Sequence, residues 1–277
     1  MRKPTIMGRI LNALVLIFLY MPIFVLIAFS FNDSKSRSVW AGFSLRWYED
    51  LFSSTEILNA LYITLLVSVL AAIIATMAGT FAAVGFYAMK RRPRQALLAV
   101  NNIPVMNADI ITGVSMSLLF FTGFALIKDW FGLNLEFGFG TLLIAHITFN
   151  IPYVILSVSP KLQQLDKNLF EAAQDLGCTW IQAFLKVILP EIKPGIVNGL
   201  IIAFTLSVDD FVISYFTAGS KVQTLSMVIN SMTRRRVSPV INAVSTLLFV
   251  AVLLLLVVIN VREIRQQRKF DSQKKSS

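Results

Sequence analysis

The sequence predicts an all-α membrane protein whose chain crosses the bilayer six times. Hydrophobic residues make up 56% of its 277 residues and the mean hydropathy is +0.71, whereas soluble domains are about 45–50% apolar. Charged residues reach only 14%, against about 25% in an average soluble domain. A soluble fold of this length cannot bury so much apolar surface, so most of the chain is expected to contact lipid.

Six apolar runs are each long enough for the roughly 20 residues that a helix needs to cross a bilayer. They cover residues 10–31, 58–89, 96–127, 141–162, 194–218 and 241–261. The first run exceeds the apolar core of a cleavable signal peptide, so we expect a retained anchor. The second is long enough to tilt or to continue past the bilayer.

The third run is predicted to be interrupted. Pro104 lies in its first half among three asparagines. Proline removes a backbone donor and disfavours the helical conformation at the preceding Ile103. A broken membrane helix is tolerated only where protein or a water-filled cavity satisfies the freed backbone groups. We therefore expect a kink or break near Pro104.

The distribution of basic residues predicts that both termini are cytoplasmic. Basic clusters lie in residues 1–9, 90–94, 161–193 and 262–277, and six spans place all four on the inner side, as the positive-inside rule requires. The triplet at 234–236 disagrees, because six spans place it outside. The predicted organisation is a cytoplasmic N-terminus (1–9), a membrane domain (10–261) and a polar cytoplasmic tail (262–277).

Composition excludes several functions. The net charge of +10 does not indicate nucleic-acid binding, because the basic residues cluster at span ends, where they fit topology signals and anionic lipid. Cys178 and His146 are the only residues of their types, which argues against a disulfide or a Cys- or His-based metal centre. No phosphate-binding glycine loop is present. If the function needs ATP, another chain binds it.

Residues 162–194 carry an amphipathic pattern outside the membrane and predict two short helices. Asn168 is a candidate N-cap, because Glu171 lies three residues later and can bond back to its backbone. Gly177 suits the left-handed conformation that ends a helix.

The second helix is predicted to begin with a capping box formed by Thr179 and Gln182. Its apolar face comprises Trp180, Ile181, Phe184, Leu185 and Ile188. Pro190 is expected to stop it. Taken alone, such a segment could equally lie on the membrane surface.

The order Glu171-Ala172-Ala173, then Gly177, then Val187-Ile188-Leu189-Pro190 resembles the "EAA" signature of permease subunits in bacterial ABC importers. The one departure is Val187, where the signature has isoleucine. Six spans, a cytoplasmic signature after the fourth and the lack of a nucleotide site extend the resemblance to nearly the whole chain. It implies the type I ABC importer permease fold, also called MetI-like.

The resemblance also implies a role for the segment. It would dock as a coupling helix on a cytoplasmic ATPase, with Glu171 capping or pairing, Ala172 and Ala173 allowing close approach and Gly177 making the turn. Val187, Leu189 and Pro190 complete the coupling set. Closure of the ATPase dimer would switch the spans between inward-open and outward-open states.

The implied partners are a paralogous permease, forming a heterodimer, two ATPase subunits and an extracytoplasmic binding protein. The binding protein would meet outer loops 32–57, 128–140 and 219–240. ATP and magnesium would be bound by the ATPase, so this chain is expected to need no cofactor and to catalyse no reaction itself.

Three acids lie within the apolar runs, at Asp109, Asp209 and Asp210, and no lysine or arginine lies deep in any run. An ionisable residue costs about 2.5–3.5 kcal/mol at the centre of a membrane helix, which makes it a functional candidate. A pathway lined in this way favours cations. Alternatively, the acids cap a local helix break or join helices by hydrogen bonds.

Spacing separates the two adjacent acids. Ser207, Asp210, Ser214 and Thr217 would form one stripe of a continuous helix, with Asp209 about 100° away. One acid would then face a pathway and the other a neighbouring helix, and spacing leaves open which. Ser214 belongs to the predicted pathway set with the acids.

Two residues of the fourth run have alternative interpretations. Tyr153 joins the predicted pathway set as a possible cation–π face, or it serves packing alone. His146 fits a helix–helix hydrogen bond better than a proton relay.

A narrower resemblance concerns the substrate. The stretch from Phe204 to Val212, together with Tyr20-Met21-Pro22, Ser30-Phe31-Asn32 and Asp109-Ile110-Ile111-Thr112-Gly113, is similar to spermidine/putrescine importer permeases, and closest to the second of the two permeases in those importers. The implied substrate is a polyamine, which agrees with the acid-only membrane interior.

Other interpretations remain open from sequence. Permeases for ferric iron and other solutes share parts of these patterns. A stand-alone secondary transporter or cation channel could use the same acids, but it leaves the capped cytoplasmic segment unexplained, and the inverted repeats typical of such folds are not evident. A membrane hydrolase would need a His–metal cluster or a Ser–His pair, for which the sequence offers only His146.

Overall fold

The computed structural model describes residues 6–34, 39–166, 168–235, 239–254, 257 and 261. These residues form helices and loops, and within them the only β pairing is a single bridge between Asn32 and Phe43. The helices are α1 (Ile6–Ser30), α2 (Arg46–Ser53), α3 (Thr55–Ala88), α4 (Arg91–Met106), α5 (Asp109–Phe131), α6 (Phe139–Gln164), α7 (Asn168–Asp175), α8 (Trp180–Ala183), α9 (Leu189–Asp209), α10 (Val212–Thr217), α11 (Leu225–Arg235) and α12 (Val240–Leu254), with a π-helical turn at Phe184–Ile188.

Five helices in the described residues are long and apolar enough to cross a membrane, not six. They are Met7–Ser30, Thr55–Ala88, Asp109–Phe131, Phe139–Gln164 and Ile181–Asp209. The predicted sixth span, residues 241–261, coincides with the shorter apolar helix α12, and part of it lies outside the described residues. The predicted polar tail, 262–277, also lies outside them.

The predicted third span is two helices. Pro104 lies inside α4 without breaking it, and Ile103 is helical, contrary to prediction. The break comes at Asn107 and Ala108, whose backbones are extended with ψ of 153° and 136°. Asparagine readily leaves a helix, since its side chain competes for backbone hydrogen bonds, and α4 accordingly ends at Asn107 and not at the proline. The membrane-crossing part therefore begins at Asp109.

The predicted fifth span also has different bounds. Its helix runs without interruption from Ile181 to Asp209 and does not reach residue 218 as predicted. Pro190 does not stop it. This proline follows directly on the π turn and Leu189, and the π turn carries the chain from α8 into α9.

The chain forms two compact units, Asn59–Val228 and a second one made of Met1–Leu58 with Ile229–Ser277. In the second unit, the loop after α1 is folded around Asn32, which is 1% exposed. Its side chain accepts a bond from the Ala41 N–H and donates one to the Val39 carbonyl, both 2.8 Å. The Trp47 indole donates to the Asn32 carbonyl at 2.6 Å. The described residues of the predicted outer loop 32–57 thus include a hydrogen-bonded turn around Asn32 and the helix α2.

The larger unit is built around α6, which packs against α9 and α3 through glycines. A Cβ on Gly195 would lie 2.9 Å from the Ser157 carbonyl oxygen, and one on Gly199 would lie 3.2 Å from Val154 Cγ1. On the other side, a Cβ on Gly79 would lie 2.8 Å from Val154. The Gly195-x-x-x-Gly199 spacing is typical of close helix contact in membranes. This glycine spacing is a sequence signal for the close packing of α6 and α9, and a hydropathy profile does not detect it.

Candidate functional site

The three membrane acids line one cavity of about 380 Å³ in the larger unit. Its wall comprises Asp109, Phe149, Thr205, Leu206, Asp209, Asp210, Phe211 and Val212. Among the residues that the structure describes, no basic side chain belongs to this wall, so its chemistry is mainly carboxylate, aromatic and apolar. The acids were predicted from the sequence. The two phenylalanines and Thr205 were not, because apolar residues are common throughout the spans.

The cavity lies where helices begin and end. The helix α9 ends at Asp209, Asp210 is extended with ψ of 126°, and α10 begins at Val212. The helix α5 begins at Asp109 after the extended Ala108. Broken helices at membrane depth expose backbone groups, which makes such breaks typical of binding sites in transporters.

Asp210 caps the second half of the broken helix. Its carboxylate accepts hydrogen bonds from the backbone N–H of Ile213 at 3.2 Å and of Ser214 at 2.7 Å, and from the Ser214 hydroxyl at 2.9 Å. The predicted stripe of Ser207, Asp210, Ser214 and Thr217 is wrong as a continuous helical face, because α9 ends before Asp210. An aspartate followed by an apolar run is a typical N-cap signal, and it marked this break in the sequence.

His146 on α6 lies beside the same break and is 2% exposed. Its Nδ1 is 2.6 Å from the Ser207 hydroxyl on α9, and its Nε2 is 3.0 Å from the Ser214 hydroxyl on α10. Nε2 is also 3.5 Å from Asp210 Oδ2. The structure therefore agrees with the helix–helix hydrogen bond predicted for His146.

Asp209 and Asp109 are both exposed and both line the cavity. Within the part of the chain that the structure describes, neither carboxylate accepts a hydrogen bond from protein. The Asp210 side chain, by contrast, is only 7% exposed and its oxygens are occupied. The adjacent acids thus have different surroundings, as predicted, and Asp209 is the one available to a ligand.

The two remaining predicted pathway residues lie behind the cavity wall. Ser214 is fully buried and bonds to Asp210 and His146. Tyr153 packs against Phe149, with ring centroids 5.3 Å apart, and does not belong to the wall. In the described residues no group of three His, Cys, Asp or Glu side chains is arranged to hold a metal ion.

The cytoplasmic segment forms the predicted helix, glycine turn and helix. Gly177 has a φ of +84°, and the Cys178 N–H donates to the Ala173 carbonyl at 3.1 Å, which closes the end of α7. Thr179 and Gln182 form the capping box, with the Thr179 N–H donating to Gln182 Oε1 at 3.1 Å and the Gln182 N–H to Thr179 Oγ1 at 3.4 Å.

Some details of this segment differ from prediction. Asn168 is the first residue of α7 and not its cap, since its own N–H donates to Asp166 Oδ1 at 3.0 Å. Ala172 is exposed, whereas Ala173 is 6% exposed and packs inward. The side chains of Glu171 and Trp180 lie outside the described part of the structure.

The last coupling residues lie at the base of the long helix. Val187 belongs to the π turn, and Leu189 and Pro190 open α9. Val187 and Leu189 are partly buried and Pro190 is exposed. Phe184, Leu185 and Leu189 line an apolar cavity of about 410 Å³ against α3.

Parts of two predicted outer loops lie together in the larger unit, around Glu136 and Phe137 in one and Gly219 and Lys221 in the other. A Cβ on Gly219 would lie 2.7 Å from Phe137, and the Thr141 hydroxyl donates to the Thr217 carbonyl at 2.7 Å. The Lys221 ammonium pairs with Glu136 and lowers the pKa of that exposed carboxyl below its ordinary value. This contact agrees with a topology that places both loops on one side of the membrane.

Comparison with known proteins shows which family the sequence matches. Residues 75–269 match the family described as binding-protein-dependent transport system inner membrane component. The chain is 39% identical over 236 residues to the putrescine transport system permease protein PotI of Escherichia coli (strain K12), covering 85% of this chain and 83% of that protein. It is 35% identical over 240 residues to the spermidine/putrescine transport system permease protein PotC of Haemophilus influenzae, covering 87% and 90%.

Solved structures show the same fold. A bacterial ABC transporter involved in the import of the acidic polysaccharide alginate matches with a TM-score of 0.71 at 17% identity, covering 94% of both chains. A second structure, of a bacterial alginate ABC transporter in complex with alginate pentasaccharide-bound periplasmic protein, matches with a TM-score of 0.70 at 19% identity, covering 91% of this chain and 90% of that one. At such identities the likeness concerns fold alone.

Proposed function

The chain belongs to the family of inner-membrane components of binding-protein-dependent transport systems, and we propose that it forms part of the membrane pathway for a polyamine. The observation that carries this proposal is the cavity wall, which holds three carboxylates and no basic group. The names of the two relatives, putrescine and spermidine/putrescine permeases, support the same substrate class.

The available acids fit a ligand with separated ammonium groups. Asp109 and Asp209 lie on different helices and have carboxylates free of protein hydrogen bonds within the described residues, so each can accept bonds from an ammonium group. Phe149 and Phe211 supply aromatic surface for the methylene chain and cation–π contact. Asp210 contributes negative charge to the wall while its oxygens hold α10.

The capped segment after α6 is the proposed contact with a cytoplasmic ATPase. Ala172 is exposed at the surface of α7, and Gly177 fixes the turn into α8. The complete importer would contain this chain, a paralogous permease, two ATPase subunits that bind ATP and magnesium, and an extracytoplasmic polyamine-binding protein. ATP-driven movement of the segment would switch the cavity between the two sides of the membrane.

The proposed location is the bacterial cell membrane with both termini cytoplasmic. The sixth span would comprise α12 and the residues after it, 241–261 in total. This orientation places the basic clusters at 90–94 and 161–193 on the inner side.

The direct test is ligand-stimulated ATP hydrolysis by the purified complex in lipid. Putrescine or spermidine, presented with the binding protein, is expected to stimulate hydrolysis and to be taken up. If ferric iron stimulates hydrolysis and the polyamines do not, the substrate is ferric iron and not a polyamine. Full uptake by this chain alone in vesicles without ATP would refute the importer and establish a secondary transporter.

A further inference from the structure

We infer that His146 is a positioning residue for the acid cavity, an assignment that rests on the proposed function. It joins the two helices on either side of the break at Asp210 and Phe211. Its role would be to hold α9 and α10 in the arrangement that leaves the Asp209 carboxylate free to face the cavity while the Asp210 oxygens stay bonded to α10.

The hydrogen bonds define one direction of donation. Asp210 is the charged acceptor, so the Ser214 hydroxyl donates its proton to that carboxylate at 2.9 Å. The Ser214 oxygen then accepts from His146 Nε2–H at 3.0 Å, and Nδ1 pairs with the Ser207 hydroxyl at 2.6 Å. The two ring nitrogens are thus bonded to two different helices. Every polar side-chain atom in this series has a partner, which makes such a buried network rigid.

The network joins parts of the protein that are far apart in sequence. Ser207 belongs to the last turn of α9, and Ser214 belongs to the first turn of α10. Among the described residues, His146 is the only side chain that hydrogen-bonds both helices. The ring is 2% exposed and both nitrogens are occupied, so it acts on the cargo through Asp209 and not by contact.

Two amide substitutions separate the two halves of the link. An asparagine amide overlaps the Nδ1 position and a glutamine amide the Nε2 position, so His146→Asn keeps an acceptor for Ser207 while His146→Gln keeps a donor for Ser214. Neither amide variant reproduces both hydrogen bonds of His146, and His146→Leu removes both of them. The matched control is Asn150→Leu, one turn along α6, where a side chain of similar volume is fully buried and makes no hydrogen bond.

The first measurement does not depend on the cargo. In a Cys178→Ser background, Asp209→Cys is modified with a water-soluble cationic thiol reagent, with and without His146→Leu. We expect His146→Leu to change the modification rate about threefold or more, because loss of a charge-linked hydrogen-bond network permits the break to move. The Asn150→Leu control should leave the rate unchanged. An unchanged rate with His146→Leu would overturn the assignment.

The second measurement is the putrescine concentration that half-saturates ATP hydrolysis by the complex. His146→Leu is expected to raise it about tenfold, and the double variant with Asp209→Asn should be no worse than the more impaired single variant, because both changes remove the same interaction. If the fold-changes of the two single variants multiply in the double variant, the assignment is overturned. If His146→Leu prevents assembly, His146→Gln decides, and a half-saturation within about twofold of the original chain refutes positioning. Failure of the unsubstituted complex to respond to any polyamine would instead refute the proposed function, and the thiol measurement would still decide the role of His146.

Discussion

Replacing each of the adjacent acids with alanine should separate stability from transport. Asp210 accepts three hydrogen bonds from α10, and each is worth about 1 kcal/mol net. Asp209 accepts none from the described residues. Removing a carboxylate also relieves the cost of holding a charge in the membrane, and this relief applies to both positions. The free energy of unfolding should therefore differ between Asp210→Ala and Asp209→Ala by about 3 kcal/mol.

The assay is unfolding of the purified chain in detergent, followed by circular dichroism during heating. Asp210→Ala is expected to melt roughly 6 °C or more below Asp209→Ala, at about 2 °C or more per kcal/mol for a chain of this size. Asp209→Ala should retain the original stability within about 0.5 kcal/mol while losing polyamine uptake.

The control is Asp210→Asn, because asparagine caps a helix about as well as aspartate. It should recover most of the stability that Asp210→Ala loses. Equal melting temperatures for the two alanine variants would refute the assignment of Asp210 as a cap, and a larger loss for Asp209→Ala would reverse the roles of the two acids.

Three further predictions concern packing and the cytoplasmic segment. Gly195→Ala should destabilise the chain by about 1–3 kcal/mol, because the added Cβ would lie 2.9 Å from the Ser157 carbonyl oxygen. The control is Gly85→Ala, where the added carbon has no atom within 4 Å. This control should not destabilise the chain in the same melting assay. Gly177→Ala should lower the free energy of unfolding by about 1 kcal/mol, because Gly177 has a φ of +84°, and it should reduce polyamine-stimulated ATP hydrolysis. Gly177→Asn is the control and should be tolerated. Equal activity of the two variants would contradict a role for the left-handed turn. Thr179→Ala should remove one half of the capping box, costing about 1 kcal/mol, and should increase amide hydrogen exchange in α8 without affecting α6; unchanged exchange would show that the box does not stabilise this helix.

Hydropathy predicted the central part of each long helix, because burial in lipid is a property of local composition. The breaks were harder to predict. Pro104 was the strongest local signal, yet the chain leaves the helix at Asn107, whose side chain competes for backbone hydrogen bonds. The helix break after Asp209 has a local signal in the capping Asp210, but its contact with His146 on α6, about sixty residues earlier in the chain, is not encoded locally.

The candidate site was likewise predicted in part from local composition, whereas the rest depends on the folded structure. Three acids in apolar surroundings identified the cavity, because each is costly in lipid without a function. Which acid faces the ligand could not be derived from helical spacing, since spacing assumed a continuous helix through Asp210. The hydrogen bonds from Ile213 and Ser214 to Asp210 give the two acids different surroundings, and they form only because the helix breaks.

The uninterrupted helix from Ile181 to Asp209 gives the molecule a mechanical lever. Its 29 residues span about 43 Å at 1.5 Å per residue. One end emerges from the capped cytoplasmic turn and the other carries the cavity acid. A tilt of about 5° at the base would displace Asp209 by about 4 Å over this length, more than the roughly 3 Å reach of a hydrogen bond. If the capped segment moves as proposed above, a small rotation at the base of this helix would be enough to carry Asp209 out of hydrogen-bond reach of a bound ammonium group.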